Sequence, residues 1–371
     1  MGRRTSRRFL LIAAPIAVLT VRARAQPAPD VRPVGGTVVA GAATIARSPT
    51  QTSITQTTQR AAINWQGFDV GSRQNVTFAQ PSATAMTLNR VTGPNPSQIA
   101  GRITANGQIV LVNPAGVVFY KGAQVNTNGL LVTAAGISDR NFMAGRMVFD
   151  QPAQPNAKVE NRGEITIRQA GLAALVAPQV ANSGVISARL GHVVLAGART
   201  ATLDLYGDGL VAIDVTGQVR QVPLGPDGKP VTALVTNTGI VRADGGTVQL
   251  TAQAADGIVQ TLVEAGGRIQ ADSAGSRTGT IVLSGLGGAI RISGQLDARG
   301  RAPDSAGGRI VADTNGDVLV GSSARIDASG STGGGMIVLG TTLARAASGP
   351  AVASTLTARR TRIDAGAKIA A

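Results

Sequence analysis

The stretch from Ile109 to Gly145, IVLVNPAGVVFYKGAQVNTNGLLVTAAGISDRNFMAG, decides the fold. Short apolar runs alternate with turns rich in Asn, Pro and Gly, and no helical spacing of apolar positions occurs, so the stretch reads as strand, turn, strand. Asn113-Pro114-Ala115-Gly116 is a turn with a mechanism. Pro114 fixes φ at the second turn position, Asn113 can bond backbone through its side chain, and Gly116 takes a conformation costly for other residues.

Downstream the same pattern becomes a degenerate repeat: an apolar residue, an outward polar residue, Ala or Ser, a Gly-containing turn, then an alternating strand. Copies run Ile186 to Leu195, Val241 to Leu250, Ile269 to Leu283, Leu296 to Ala312 and Ile326 to Leu339, with a last partial copy at Arg362-Ile-Asp-Ala365. Their wide, regular spacing is too long for tight hairpins, and Gly recurs where a βαβ fold would need helices. The sequence therefore reads as all-β, a parallel β-helix of roughly 12 to 15 coils and on the order of 60 Å, from coils stacked about 4.8 Å apart. A β-sandwich is the alternative. Its hairpin dipeptides occur at Asn106-Gly107 and Asn128-Gly129 but do not join consecutive strands throughout.

Two segments depart from the repeat. Residues 26 to about 62, with the Thr/Gln-rich run TQTSITQTTQ, read as an N-terminal cap shielding the first coil. Residues 199 to 231 alternate strongly and then break at Leu224-Gly-Pro-Asp-Gly-Lys-Pro230, which reads as an extra-helical hairpin and a loop.

Composition limits the function. Hydrophobic residues make up 43% but aromatics only 2%, so the interior must be built from small aliphatic side chains. Residues 1 to 25 read as a cleavable signal peptide: Arg3, Arg4, Arg7 and Arg8, an apolar stretch from Phe9 to Val21, then Ala23-Arg24-Ala25, with cleavage expected after Ala25. No later segment reaches transmembrane length. The absence of cysteine is compatible with export of an unfolded chain through an oxidising compartment. The first 25 residues carry six Arg and no acid, so the net charge of +15 falls by 6 to +9 on the remainder. These cations are spread out and lack a row of aromatic platforms, which argues against nucleic acid. Host surface glycans, acidic polysaccharide or lipopolysaccharide remain candidate partners through a diffuse field.

Residues from about Ile63 to Val215 resemble the secretion domain of filamentous-haemagglutinin-like exoproteins, the passengers of two-partner secretion. The resemblance rests on Ile63-Asn-Trp-Gln-Gly-Phe-Asp-Val-Gly71, Asn95-Pro-Ser-Gln-Ile-Ala-Gly-Arg-Ile103, Asn106 to Gly116, Lys121-Gly-Ala-Gln-Val-Asn126 and Ile137-Ser-Asp139. It implies a right-handed β-helix led through a cognate outer-membrane β-barrel transporter, whose periplasmic domains bind the chain before it folds. It also implies a secreted or cell-surface product acting in adhesion or cell-surface interaction. The expected organisation is a signal peptide (1–25), a secretion domain with its cap (26–231) and continuing repeats of a short passenger (232–371). The family's Asn-Pro-Asn-Gly turn is here Asn113-Pro114-Ala115-Gly116, so one amide is missing at Ala115.

The candidate site residues follow. Asn113, Pro114, Ala115 and Gly116 form either a coil corner alone or also an address read by the transporter. Trp65 and Phe68 form either a pair packed under the cap or a recognition anchor. Catalytic, cofactor and metal sites are expected to be absent: the only His, His192, has no Cys partner, and Gly207 to Ala212 mimics a dinucleotide fingerprint without the helix that motif needs. The alternative is a β-helical polysaccharide hydrolase or lyase using Asp297 and Asp327, which with Asp364 occupy equivalent repeat positions. Arg325 and Arg362, two residues before Asp327 and Asp364, would neutralise such a ladder. Asp313 to Asp317 resembles part of a calcium loop but reads better as an Asn-Gly turn.

Overall fold

A computed structural model describes residues 26–204, 212–225, 227–340 and 356–371. The expected signal peptide and most of the Gly207 to Ala212 match lie outside them. The chain winds as a right-handed parallel β-helix with three faces. Sheet 1 has twelve strands, from Ala43–Arg47 to Lys368–Ala370. Sheet 2 has eleven, from Val34–Ala40 to Met336–Leu339, and sheet 3 has nine, from Ser97–Ile99 to Arg360–Ile363. Each coil runs from sheet 1 to sheet 2 to sheet 3 and back. The strand pairing is parallel outside the cap and two insertions, which sets the sandwich aside.

Inward side chains explain why these residues stack. On sheet 1, Val76, Ile103, Val125, Ile165, Ile186, Val241, Ile269, Leu296, Ile326 and Ile369 are successive Cα partners, a nearly unbroken β-branched ladder. Such side chains suit a pleated, half-buried surface, and each one buried is worth about 1.5–3 kcal/mol. One hydrophobic core extends from Ile54 to Ala328 and crosses residue 231 without interruption.

The stack is shorter than the repeat suggested. Eleven parallel strands on sheet 1, after one antiparallel cap strand, make a stack about 50 Å long at the usual spacing. The missing coils were spent on longer connections: loops 271–279, 298–308 and 328–335 extend the corner between sheets 1 and 2, and further insertions leave at the corner between sheets 2 and 3. One holds the helix Asp139–Met143 and the strand Met147–Phe149; another holds the hairpin Thr200–Asp204 and Ala212–Gly217. A third separates Met336–Leu339 from Arg360–Ile363. The helix lies inside the stretch that showed no helical spacing. Five residues cannot display a period, but Ser138 caps it by accepting from the Asn141 N–H, and Phe142 anchors it.

Met147–Phe149 joins the hairpin in a three-stranded antiparallel sheet. Phe142, Phe149, Leu203 and Ile213 cluster with the outward Leu88, Val110, Leu131, Ala174 and Val194 of sheet 2. Sheet 2 is therefore buried on both sides over its early coils. Asn106-Gly107 and Asn128-Gly129 are corners between sheets 1 and 2, not hairpin turns.

The cap is also smaller than expected. Val34–Ala40 pairs antiparallel with Arg60–Gly67, and Ala43–Arg47 pairs antiparallel with Gln51–Gln56. The Thr/Gln-rich segment is itself the first rung, pairing parallel with Asn75–Ala79 and turning Thr52 and Gln56 into the buried interior. The final repeat copy is displaced as well. Ile363 is the partner of Val320 on sheet 3, whereas Ile326 pairs with Ile369, so Asp364 is not equivalent to Asp297 and Asp327.

Candidate functional site

Asn113 lies where sheet 2 hands over to sheet 3, between the strands Gln108–Val112 and Gly116–Phe119. Its side-chain Oδ1 accepts from the Ala115 N–H at 3.0 Å, and its carbonyl accepts from the Gly116 N–H at 2.9 Å. Its Nδ2 donates to the Asn95 carbonyl and to Ser97 Oγ, both at 3.0 Å, while its own N–H donates to the Thr133 carbonyl at 3.0 Å. One buried residue thus ties its coil to the preceding coil through its side chain and to the following coil through its backbone N–H. Gly116 has φ +103°, and a Cβ there would lie 2.4 Å from the Lys158 carbonyl oxygen, so the position requires glycine. Pro114 and Ala115 are half-buried on the corner's outer side. Beside them stand exposed Pro94 and Asn95 of a second Asn-Pro turn on the preceding coil.

Trp65 and Phe68 are both fully buried, edge to face with ring centroids 5.4 Å apart. Trp65 Nε1 donates to Asn89 Oδ1 at 3.0 Å, and the Arg47 guanidinium lies 5.9 Å from the indole centroid. A Cβ on Gly36 of the cap would approach the indole to 2.8 Å. The pair therefore sits packed beneath the cap, inaccessible in the folded chain.

The structure brings the two groups of site residues together through a segment that sequence reading left unconnected. Thr92 donates from its N–H and its Oγ1 to the Trp65 carbonyl, at 2.8 and 3.0 Å. The chain then continues through Pro94 to Asn95, whose carbonyl receives Asn113. Asp69, next to Phe68, accepts the Gln98 N–H at 2.7 Å, and burial holds its carboxyl above its ordinary value against that bond. Arg90 closes the other side, donating to Asn64 Oδ1 at 2.9 Å, the Ile137 carbonyl at 2.8 Å and Asp139 Oδ1 at 2.6 Å. The quoted segments Ile63 to Gly71, Asn95 to Ile103, Asn106 to Gly116 and Ile137 to Asp139 thus converge on one end of the stack.

The acidic series makes a different structure. Asp297 and Asp327 are Cα partners on sheet 1. Asp297 is buried, with Arg268 at 2.9 Å and Arg299 at 3.2 Å, and Arg299 also reaches Asp327 at 3.6 Å. Burial would raise the Asp327 carboxyl, but bonds from Ser329 and the charges of Arg299 and Arg301 outweigh it and hold the group below its ordinary value. That is the reverse of the raised carboxyl a glycosidase's general acid requires. The cations come from Arg268 and Arg299 rather than from Arg325, and Arg362 pairs with Asp364 at 2.8 Å. Asp313 to Asp317 forms the expected turn, Asn315 Oδ1 accepting from the Gly287 N–H at 2.8 Å. His192 is half-buried on sheet 2, its imidazole lowered by burial. Among the described residues no three His, Cys, Asp or Glu side chains gather as a metal site, and no helix is long and apolar enough to cross a membrane.

One feature escaped sequence reading. Asn161 Nδ2 donates to Asn182 Oδ1 at 2.8 Å, and Asn182 Nδ2 donates to Asn237 Oδ1 at 2.7 Å, a buried amide ladder between sheets 3 and 1. Its signal is the recurring Asn-x-Gly at Asn161, Asn182 and Asn237.

A capped parallel β-helix whose quoted segments meet at one end is the fold of two-partner secretion domains. The model of the TPS secretion domain matches residues 29–298, and the chain belongs to this two-partner secretion family. The crystal structure of the HMW1 secretion domain from Haemophilus influenzae is similar at 28% identity, with a TM-score of 0.75 over 91% of this chain and 83% of that one. The filamentous hemagglutinin secretion domain, at 14% identity and a TM-score of 0.54, over 83% of this chain and 100% of that one, shares the fold. A heme/hemopexin-binding protein of Haemophilus influenzae is 30% identical over 278 residues, covering 73% of this chain and 29% of the relative. A second protein of that name and species is 47% identical over 81 residues, which are 22% of this chain and 9% of the relative. The chain thus spans less than a third of either of these relatives.

Proposed function

We propose that this chain is the exported member of a two-partner secretion pair, carried unfolded through a cognate outer-membrane β-barrel and wound into its stack outside the cell. In this reading residues 1–25 are removed after Ala25. The transporter's periplasmic domains read the segments around Asn95–Ser97 and Asn113–Gly116, which are accessible before folding, whereas Trp65 and Phe68 serve the cap. Residues 26–231 carry the export function, residues 232–371 continue the stack as passenger, and the product is non-enzymatic, acting at a cell surface in adhesion.

The observation that carries the reading is the convergence of four of the quoted family segments on the capped end of the stack, where buried Asn113 ties two of them together, within a chain that matches the secretion-domain model. Folding each coil onto the last supplies a one-way bias without nucleotide hydrolysis. A fusion of residues 1–231 to a reporter should reach the medium only when the partner barrel is co-expressed. Equal release without the barrel would refute the proposal.

A further inference from the structure

Two arginines, Arg199 and Arg220, line one cleft at the base of the hairpin insertion, and neither forms an ion pair among the described residues. The cleft has a volume of about 350 Å³ and is lined by Pro155, Arg199, Val219, Arg220 and Gln221. Backbone bonds hold its walls: Ala153 N–H to the Arg199 carbonyl at 3.1 Å, Arg199 N–H to the Gly217 carbonyl at 2.9 Å, and Val219 N–H to the Gln253 carbonyl at 2.8 Å. The two insertions and the stack therefore form one frame around it.

Arg199 is half-buried, and its buried Nε has no acceptor; Arg220 is exposed. Arg268 and Arg299, half-buried arginines whose Nε is likewise unpartnered, answer a carboxylate through a terminal nitrogen, whereas Arg199, like Arg309, has no ion pair among the described residues, and Arg199 alone of these two lines this cleft. Two like charges, Arg199 and Arg220, thus border one open cleft without a counter-charge among the described residues, an arrangement that an anion would complete.

We propose that this cleft binds an oxyanion, a carboxylate, sulfate or phosphate group, with Arg199 as the inner donor and Arg220 closing from the solvent side. Guanidinium forks match such groups through paired N–H donors, and the volume suits a small ligand or one unit of a chain. A free anion and an acidic unit of a surface polysaccharide present the same group. The second source rests on the cell-surface reading above.

Calorimetric titration of the chain from residue 26 to 371 with inorganic phosphate and, separately, with polygalacturonate oligomers tests the site. One site per chain is expected, weakened by salt, with Arg220→Gln reducing affinity roughly tenfold and Arg199→Gln at least as much. Arg189→Gln, an exposed arginine outside the cleft, should leave binding unchanged. Tighter binding of the oligomers assigns the site to the polysaccharide, and equal or tighter binding of phosphate assigns it to a free anion; either supports an oxyanion site. No binding of either probe, or binding indifferent to both Arg220→Gln and Arg199→Gln, overturns it. Arg220→Gln changes only an exposed side chain and should leave melting and barrel-dependent release unaltered, so failure here is distinguishable from failure of the export reading.

Discussion

Asn113 shows how much one side chain can carry. Asn113→Ala would leave the Ala115 N–H, the Asn95 carbonyl and Ser97 Oγ without the partner they share, costing about 2–3 kcal/mol, read as a lower urea midpoint. Ala115→Asn, which restores the family's amide on a half-buried turn position, should shift stability by less than about 0.5 kcal/mol while changing the rate of release. Comparing the two separates a structural role from a recognition role. Asp69 offers a test by pH. Its carboxyl is raised in the folded chain, so it favours folding below its ordinary value of 3.8 and loses that contribution as pH rises through the folded value. Asp69→Asn keeps an acceptor for the Gln98 N–H and should raise the melting temperature at pH 7, with little gain at pH 3.

At the scale of elements, two kinds of ladder hold adjacent coils in register. In the middle of the stack, buried Asn161, Asn182 and Asn237 form an uncharged one. Asn182→Ala strips both neighbours of a partner inside the core and should cost about 3 kcal/mol in chemical unfolding. Toward the last coils, Asp272, Asp297 and Asp327 interlock with Arg268, Arg299 and Arg301. Asp327 is lowered in the folded chain, so its contribution is present above pH 3.8 and lost as pH falls through the folded value. Hydrogen exchange should show coils 268–327 losing protection in acid before coils 158–197. These elements also show what was legible in the sequence. The repeat starts Ile186, Val241, Ile269, Leu296 and Ile326 are Cα partners in register, because a two-residue alternation punctuated by Gly fixes which side chain faces inward. The same alternation marks every face, so nothing local distinguished Ile363 on sheet 3 from Ile369 on sheet 1. The link from Trp65 through Thr92 and Asn95 to Asn113 was hidden because it runs through backbone carbonyls, which leave no residue pattern.

For the whole molecule, the three-faced stack keeps its sheets continuous and places its variation at the corners. Sheet 1 pairs strand on strand from Ala43 to Ala370, while the helix and the antiparallel hairpin leave between sheets 2 and 3 and long loops of the last coils leave between sheets 1 and 2. The core needs no aromatic anchors beyond its capped end, since parallel ladders of Val, Ile, Leu and Ala fill it as they stack. In the export reading proposed above, such a chain folds coil by coil as it emerges, so that export precedes winding. The absence of cysteine permits a direct measurement. Thr77 and Thr104 are outward Cα partners on adjacent coils with hydroxyls 3.3 Å apart, a geometry that accepts a disulfide. With Thr77→Cys and Thr104→Cys combined, chains that have formed the bridge in the periplasm, identified on non-reducing gels, should be retained in the cell and released when a reductant is added. Each single variant should be released normally. Release of the bridged chain into the medium at the wild-type rate would contradict export of an unfolded chain.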